Sequence, residues 1–306
     1  MPIDGESPRP LAAGRCLLTG ATGYVGGRIK AALLAAGWQV TELGRSAGAG
    51  SGIRFRLGEA IASDSLRGHS ALVHCAYDFN PLGWAAIHDV NVRGSELLLR
   101  AARDAGVERM VLISTISAFK GCPSLYGRAK LETERIAQSL GAWVIRPGLV
   151  YGGTGGGMFA KLVEAVKRVP VIPLPGRGEQ FQFLVHEADL AQAVLACIRG
   201  AAPAAAAEAV TVAHGQRWSF RSLLLEIAHT LGRRIVLVPV PWRMMWLGLK
   251  TLETVGMPLG FKSDSLVSLV NQNPKPDLNS EAVLGVRCRP FDAAATIHAQ
   301  SRTAAA

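Results

Sequence analysis

RCLLTGATGYVGG, residues 15–27, decides the fold. Four apolar or small residues lead to Gly20, and Gly20, Gly23 and Gly26 are spaced as GxxGxxG. Glycine is required where a strand turns sharply into a helix and where backbone amides must approach an anion closely. YVGGRIKAALLAAG (24–37) continues with helical periodicity and stops at Gly37. A strand, a glycine turn and a helix in that order form a phosphate-binding turn, because the helix presents free N–H groups and its positive dipole end. Gly20, Gly23, Tyr24, Val25 and Gly26 are therefore candidates for holding a dinucleotide pyrophosphate.

Outward from this turn the pattern repeats. WQVTELGR (38–45), SALVHCA (70–76), RMVLIST (109–115) and AWVIRPG (142–148) read as buried strands. VNVRGSELLLRAARDAG (90–106) and LYGRAKLETERIAQSLG (125–141) read as helices between them. Near-continuous apolar strands alternating with helices predict an α/β fold, a Rossmann doubly wound parallel sheet. Past Pro147 the alternation weakens. GLVYGGTGGG (148–157) reads as a glycine-rich loop, and residues 158–168 as a helix. VPVIPLPGRGEQFQF (169–183) reads as irregular, HEADLAQAVLACIRG (186–200) as a helix, and AVTVAHG (209–215) as a strand. Two or three helices follow Trp218. The expected division is a flexible leader at 1–13, a dinucleotide-binding domain at 14–148 with 184–213, and a smaller, mainly helical substrate-binding region at 149–183 with 214–306. SAGAGSG (46–52) and AAPAAAAEA (201–209) read as a flexible loop and a connector.

The end of the second strand bears on the cofactor. An NAD site usually places an acidic residue about 20 residues beyond the glycines, to accept from the ribose 2′-OH. This chain has Gly44, Arg45 and Ser46 there, with Glu42 inside the strand. Arginine cannot accept, but it pairs bidentately with a 2′-phosphate. NADP is thus the expected cofactor, with NAD as the alternative.

Tyr126 and Lys130, in YGRAK, lie four apart on a helix and share a face. An ammonium beside a phenol is expected to lower its pKa, so that Tyr126 exchanges a proton with a substrate oxygen. The preceding strand ends in hydroxyls, Ser114, Thr115 and Ser117, that can hold that oxygen.

TGATGYVGG, VHCA, DVNVRGSELLLRAAR, ISTIS, YGRAK, RPGLVYGG and FLVHEADLAQAV occur in the order seen in extended short-chain dehydrogenases/reductases. Over roughly residues 14–200 the chain resembles the NAD-dependent epimerase/dehydratase family. The resemblance implies that Gly20, Gly23 and Gly26 bind pyrophosphate and that Arg45 binds the adenosine phosphate. It implies that Cys75, Ala76 and Asn91 line the cleft, and that Pro147 and Gly148 border the nicotinamide. Thr115, Tyr126 and Lys130 become the catalytic set, with Ser117 as rival to Thr115, and Lys130 also meets the nicotinamide ribose. His186 and Asp189 match a structural motif. The implied activity is hydride transfer on a carbinol or carbonyl substrate, sugar-derived or lipid-like and steroid-like, with a Tyr-Lys proton relay. A non-catalytic NADP-binding subunit is the alternative. Three departures stand out. Threonine occupies the hydroxyl position, the interval from Thr115 to Tyr126 is short, and Gln182 stands where sugar-nucleotide epimerases carry a diphosphate-clamping arginine, with Arg177 offset.

Composition narrows the partners. The net charge is +10, but the basic residues are scattered and aromatics are 6%, which argues against a nucleic-acid site. Five widely spaced cysteines form no CxxC pair, so neither a disulfide framework nor a metal site is expected, and a reducing cytoplasm fits. The N-terminus lacks an apolar signal segment. A small-molecule substrate and a homodimer built on the Rossmann helices are the expected partners. Residues 239–261, PVPWRMMWLGLKTLETVGMPLGF, carry Trp242, Met245, Trp246 and Leu249 at helical spacing. They read as a packed helix of the substrate region, with an apolar substrate wall or a peripheral membrane contact as the functional alternatives.

Overall fold

Alternation along β1 (Arg15–Thr19) sets the plan of the molecule: Cys16 and Leu18 face one apolar core, and Leu17 faces the other. The structure is a computed structural model that describes residues 14–45, 52–153, 156–200, 208–257 and 261–297. The expected leader, most of the loop at 46–52 and most of the alanine-rich connector lie outside the described residues.

β2 (Gln39–Gly44), β3 (Ile53–Arg54), β4 (Ala71–His74), β5 (Arg109–Ile113), β6 (Trp143–Pro147) and β11 (Val210–Val212) join β1 in a seven-stranded sheet. Its order is β11-β6-β5-β4-β1-β2-β3, and each pairing is parallel. On one face, α1 (Tyr24–Ala35) and α6 (Glu187–Arg199) supply Ile29, Leu33, Leu190 and Val194 to the core. On the other, α3 (Gly94–Asp104) and α4 (Leu125–Ser139) supply Leu98, Leu99, Ala102 and Ala137. This is the doubly wound Rossmann arrangement. The strand order reverses between β1 and β4, which opens a crevice at their carboxyl ends.

Several local readings need correction. The helix expected at 90–106 starts earlier: α2 (Trp84–Ile87) runs through a π-helical stretch, His88–Arg93, into α3. Trp84 anchors this added turn, with the Arg128 guanidinium 3.6 Å from its ring centroid. The glycine-rich loop at 148–157 contains β7 (Leu149–Tyr151), which pairs with β10 (Leu184–His186). The irregular segment at 169–183 contains β8 (Val171–Pro175) and β9 (Phe181–Gln182). These pair with β13 (Val236–Val240) and β12 (Trp218–Ser219), far along the chain. Prolines are tolerated in β8 because it is in a two-stranded ribbon with a free edge. Around these ribbons, α5 (Gly157–Arg168) and α7 (Phe220–Thr230) enclose a third core with Tyr151, Phe159, Leu174 and Phe291. α8 (Trp242–Thr254), α9 (Ser263–Val270) and α10 (Ser280–Leu284) complete the C-terminal part.

Gly94 allows the loop after β3 to press on α3. A Cβ there would sit 2.3 Å from the Gly58 backbone nitrogen and 2.8 Å from its Cα. Alanine improves helix propensity by at most about 1 kcal/mol, whereas a clash with backbone has no flexible side chain to yield. The clash wins, and Gly94→Ala will lose about 1–3 kcal/mol of stability in urea melts. Unchanged or raised stability would show that this loop is not pressed on the helix.

Candidate active site

The turn after β1 is built on contacts that only glycine permits. Gly20 adopts φ +70°, and a Cβ on it would meet the backbone of Cys75 and Ala76 at 3.1–3.3 Å. A Cβ on Gly26 would stand 2.1 Å from the Gly20 carbonyl oxygen. The Gly23 amide donates to that same oxygen at 2.9 Å. Gly23 is the N-cap of α1, whose first turn has neither a side-chain cap nor an acidic residue. These amides are left for an anion, and the cradle fits a pyrophosphate. Val25 packs onto the sheet core. The Tyr24 hydroxyl donates to Glu187 Oε2 at 2.7 Å, and burial together with that carboxylate raises its pKa. Arg45 is exposed directly after β2, while Glu42 lies within the strand and pairs with Lys30 at 2.5 Å.

The far wall of the crevice hangs on Thr19, the register partner of His74. Thr19 Oγ1 accepts the amides of Cys75 and Ala76, each at 3.0 Å, and lies 2.7 Å from His74 Nδ1. His74 Nε2 lies 2.8 Å from Ser95 Oγ, and Ser95 donates its proton to the Asn91 carbonyl at 2.5 Å. One proton per hydroxyl settles the tautomer. Ser95 accepts from His74 Nε2–H, and Thr19 donates to Nδ1. His74 is fully buried, and burial lowers its pKa to about 3. Asn91, in the π-helical stretch, accepts the Asp78 amide at 2.7 Å and donates back to the Asp78 carbonyl at 3.0 Å. Both ends of its amide thus hold the loop after β4.

α4 brings Tyr126 and Lys130 to the same crevice. Ser124 caps the helix by accepting the Gly127 amide at 3.1 Å. Asp264 of α9 accepts the amides of Leu125 and Tyr126 at 2.8 and 2.9 Å. Lys130, only 4% exposed, donates to the Ile113 carbonyl at 2.8 Å. Its ammonium lies 5.3 Å from the Tyr77 ring centroid, and burial lowers its pKa to about 8. Tyr126 contacts Tyr77 edge-on at 4.9 Å and stacks on Phe79 at 5.6 Å. Burial pushes its phenol up to about 12, and a hydrogen bond from the Thr115 side pulls it back only partly. The expected lowering by Lys130 is therefore overridden: desolvation dominates, and the ammonium is turned to the Ile113 carbonyl. Of the two rival hydroxyls, that of Thr115 acts on the Tyr126 phenol, and its Oγ1 also accepts the Ser117 amide at 3.2 Å.

Pro147 ends β6, and its carbonyl accepts the Ile116 amide at 3.0 Å. A Cβ on Gly148 would lie 2.2 Å from the Phe183 carbonyl, so the chain just after β6 and just before β10 approaches closely here. Gln182 is buried and accepts from Gln272 at 3.0 Å. His186 caps α6 by accepting the Ala188 amide at 3.1 Å, and Asp189 binds the Arg289 guanidinium at 2.6 Å. Sequence reading missed Thr19, His74 and Asp264. The first two are ordinary residues ending two apolar strands, and Asp264 acts across 138 positions of chain.

The model of the "NAD dependent epimerase/dehydratase family" matches residues 16–213. The chain belongs to this family. It is an enzyme of the extended short-chain dehydrogenase/reductase type, an NAD(P)-linked oxidoreductase by family. It is 29% identical over 260 residues to a UDP-glucose 4-epimerase of Vibrio cholerae, covering 74% of this chain and 78% of that one. It is also 29% identical over 210 residues to a 3 beta-hydroxysteroid dehydrogenase/Delta 5-->4-isomerase of Mycobacterium tuberculosis, covering 56% of this chain and 57% of that protein. The solved structure of MoeE5 in complex with UDP-glucose and NAD superposes with a TM-score of 0.73 at 20% identity, covering 96% of this chain and all of that one. That likeness concerns the fold.

In this epimerase/dehydratase-family chain the buried His74 makes the crevice wall sensitive to acid. The folded state keeps His74 neutral down to about pH 3, whereas the free side chain protonates near 6.5. The unfolded state therefore binds more protons below about pH 6.5, and stability falls as pH drops through that value. Urea melts at about pH 7 and about pH 5.5 will differ by about 1 kcal/mol from this group. His74→Gln, which keeps a donor and an acceptor without the titration, will remove most of that difference. An unchanged difference would show that His74 is not the group responsible.

Proposed function

We propose that the protein is an NADP-dependent oxidoreductase that reduces a carbonyl, or oxidises the matching carbinol, on an apolar, lipid-like or steroid-like molecule. The observation that carries this reading is the gathering of Thr115, Tyr126 and Lys130 at the crevice, where Tyr77 lies against both the Tyr126 ring and the Lys130 ammonium. Residues 14–148 with 184–213 would hold the cofactor, and 149–183 with 214–306 the substrate. In this assignment Gly20, Gly23 and Gly26 cradle the pyrophosphate, with Tyr24 and Val25 beginning the helix behind it. Arg45 meets the 2′-phosphate, and Cys75, Ala76, Pro147 and Gly148 line the crevice. Asn91 acts through the loop it holds.

NADP, when bound, supplies hydride from C4 of its nicotinamide. The remaining chemistry belongs to the chain. A phenol with its pKa near 12 is protonated at neutral pH, which suits Tyr126 as the acid in reduction. A substrate oxygen held between the Tyr126 and Thr115 hydroxyls would take the Tyr126 proton. Lys130, with a pKa near 8, keeps most of its charge at neutral pH and orients the nicotinamide ribose.

The substrate class rests on two features. Tyr77 and Phe79 join Tyr126 in an aromatic wall. By resemblance, Gln182 stands where sugar-nucleotide epimerases carry a diphosphate-clamping arginine, and here it pairs with the neutral Gln272. A sugar-derived substrate is the second reading, favoured by the Vibrio cholerae relative. The binding-only alternative is not favoured by the family. The five free thiols suit a reducing cytoplasm, and a homodimer through the Rossmann helices is the proposed assembly.

Two variants test the assignment. Tyr126→Phe will lower turnover of a ketone panel by about 10²-fold or more while leaving NADPH affinity nearly unchanged. Normal turnover in that variant would remove Tyr126 from the reaction. For Arg45, charge-assisted hydrogen bonds contribute about 1.5–3 kcal/mol, so the wild type will prefer NADP over NAD by roughly ten- to hundred-fold. Arg45→Asp will reverse that preference in calorimetric titrations, because a carboxylate repels the phosphate and accepts from the free 2′-OH. Equal wild-type affinity for both cofactors would leave Arg45 as an ordinary surface residue.

A further inference from the structure

We propose that the outer face of α8 docks on an anionic lipid surface. Residues 3.6 to a turn place Met244, Leu247, Thr251 and Val255 in one stripe. Met244, Leu247 and Val255 are 66%, 61% and 68% exposed, and Met257 just beyond is 53% exposed. The opposite side carries Trp242, Met245, Trp246 and Leu249, which are half-buried where α8 meets α9 and β8. α8 is thus apolar on both sides, yet none of its residues is buried. A helix apolar all round normally has partners all round.

The chain enters this helix from β13, which adds exposed Val236 and Val238 beside exposed Val171 of β8. No helix among the described residues is long and apolar enough to cross a membrane, so the stripe can lie only along a surface.

The surrounding charge selects the occupant. Arg243 and Lys250 are seven residues apart, two turns, and share one flank of the stripe. Arg233 and Arg234, exposed just before β13, precede the same segment in the chain. Among the described residues, Arg233, Arg234 and Arg243 form no ion pair, and Lys250 reaches Glu253 only at 3.7 Å. Glu253, the one acidic residue of α8, is committed to Ser263 at 2.6 and 2.8 Å. An apolar stripe with a basic flank is the composition of a helix lying in the headgroup region. A second copy would bring like charges together, on a chain whose net charge is already +10. The docking stands independently of the substrate, because it can be read without turnover.

The test is flotation of the full chain with vesicles of phosphatidylcholine alone or mixed with phosphatidylglycerol. Wild type will float with the mixed vesicles and much less with phosphatidylcholine, and added salt will weaken it. The triple variant Met244→Ser, Leu247→Ser, Val255→Ser and the double variant Arg243→Glu, Lys250→Glu will each bind about tenfold less. Circular dichroism and retained NADPH binding will show that both variants are folded. Absence of flotation, or flotation untouched by the triple variant, overturns the proposal. So does a dimer in ultracentrifugation that the triple variant abolishes without any vesicle binding, which would give the face to a second copy.

Discussion

A contact between Gly26 and the Gly20 carbonyl, too close for any Cβ, governs the architecture around it. It lets α1 start directly over the end of β1 and leaves its first amides uncapped. Gly20 itself, whose Cβ would meet the backbone of Cys75 and Ala76, lets β1 end against β4 so that the Thr19 hydroxyl can take both the Cys75 and Ala76 amides. From there the constraint passes inward through His74 and Ser95 to the Asn91 carbonyl, and through the Asn91 side chain to the loop after β4. That loop carries Tyr77 and Phe79, which touch Tyr126. One glycine contact is thereby connected, by neutral hydrogen bonds in a dry interior, to the residue proposed to move the proton. Neutrality matters, because a charged His74 would face the Lys130 ammonium, and among the described residues its ring bonds only to hydroxyls.

The opposite side of the crevice is fixed by charge. Asp264 reaches from α9 to the N-terminus of α4, where a carboxylate satisfies free amides and opposes the positive end of the helix. Deeper in, Glu134 accepts from Ser114 and from Arg146, whose Nε lies at 2.9 Å, pinning α4 to β5 and β6. Tyr126 and Lys130 thus sit on a helix held at its tip by the C-terminal part and along its length by the sheet. Preorganisation of this kind removes the cost of arranging the groups during reaction.

The sheet and the glycine turn were legible because each depends on local periods: runs of apolar residues, helices ending in glycine, and glycines three apart. The ribbons β7/β10, β8/β13 and β9/β12 were not legible, since short segments such as VIPLP carry prolines and acquire strand geometry only from partners far along the chain. The helix start at Trp84 was hidden because an Arg128 contact, not a capping residue, settles it. In the site, Tyr126 and Lys130 could be read from their spacing, and Thr115 from its place after the strand. Thr115 and Ser117 both follow the strand, so spacing does not separate them, and Asp264 needed the tertiary fold. The raised phenol pKa also came from burial, which spacing alone does not report.

The central claim is that the crevice between β1 and β4 places a nicotinamide beside Tyr126. A crystal structure of the chain grown with NADP tests it most directly. The account predicts the pyrophosphate against the amides of Tyr24 to Gly26, the 2′-phosphate at Arg45, and the nicotinamide C4 facing the space between the Tyr126 and Thr115 hydroxyls. A dinucleotide bound elsewhere, or a nicotinamide turned away from Tyr126, would contradict it.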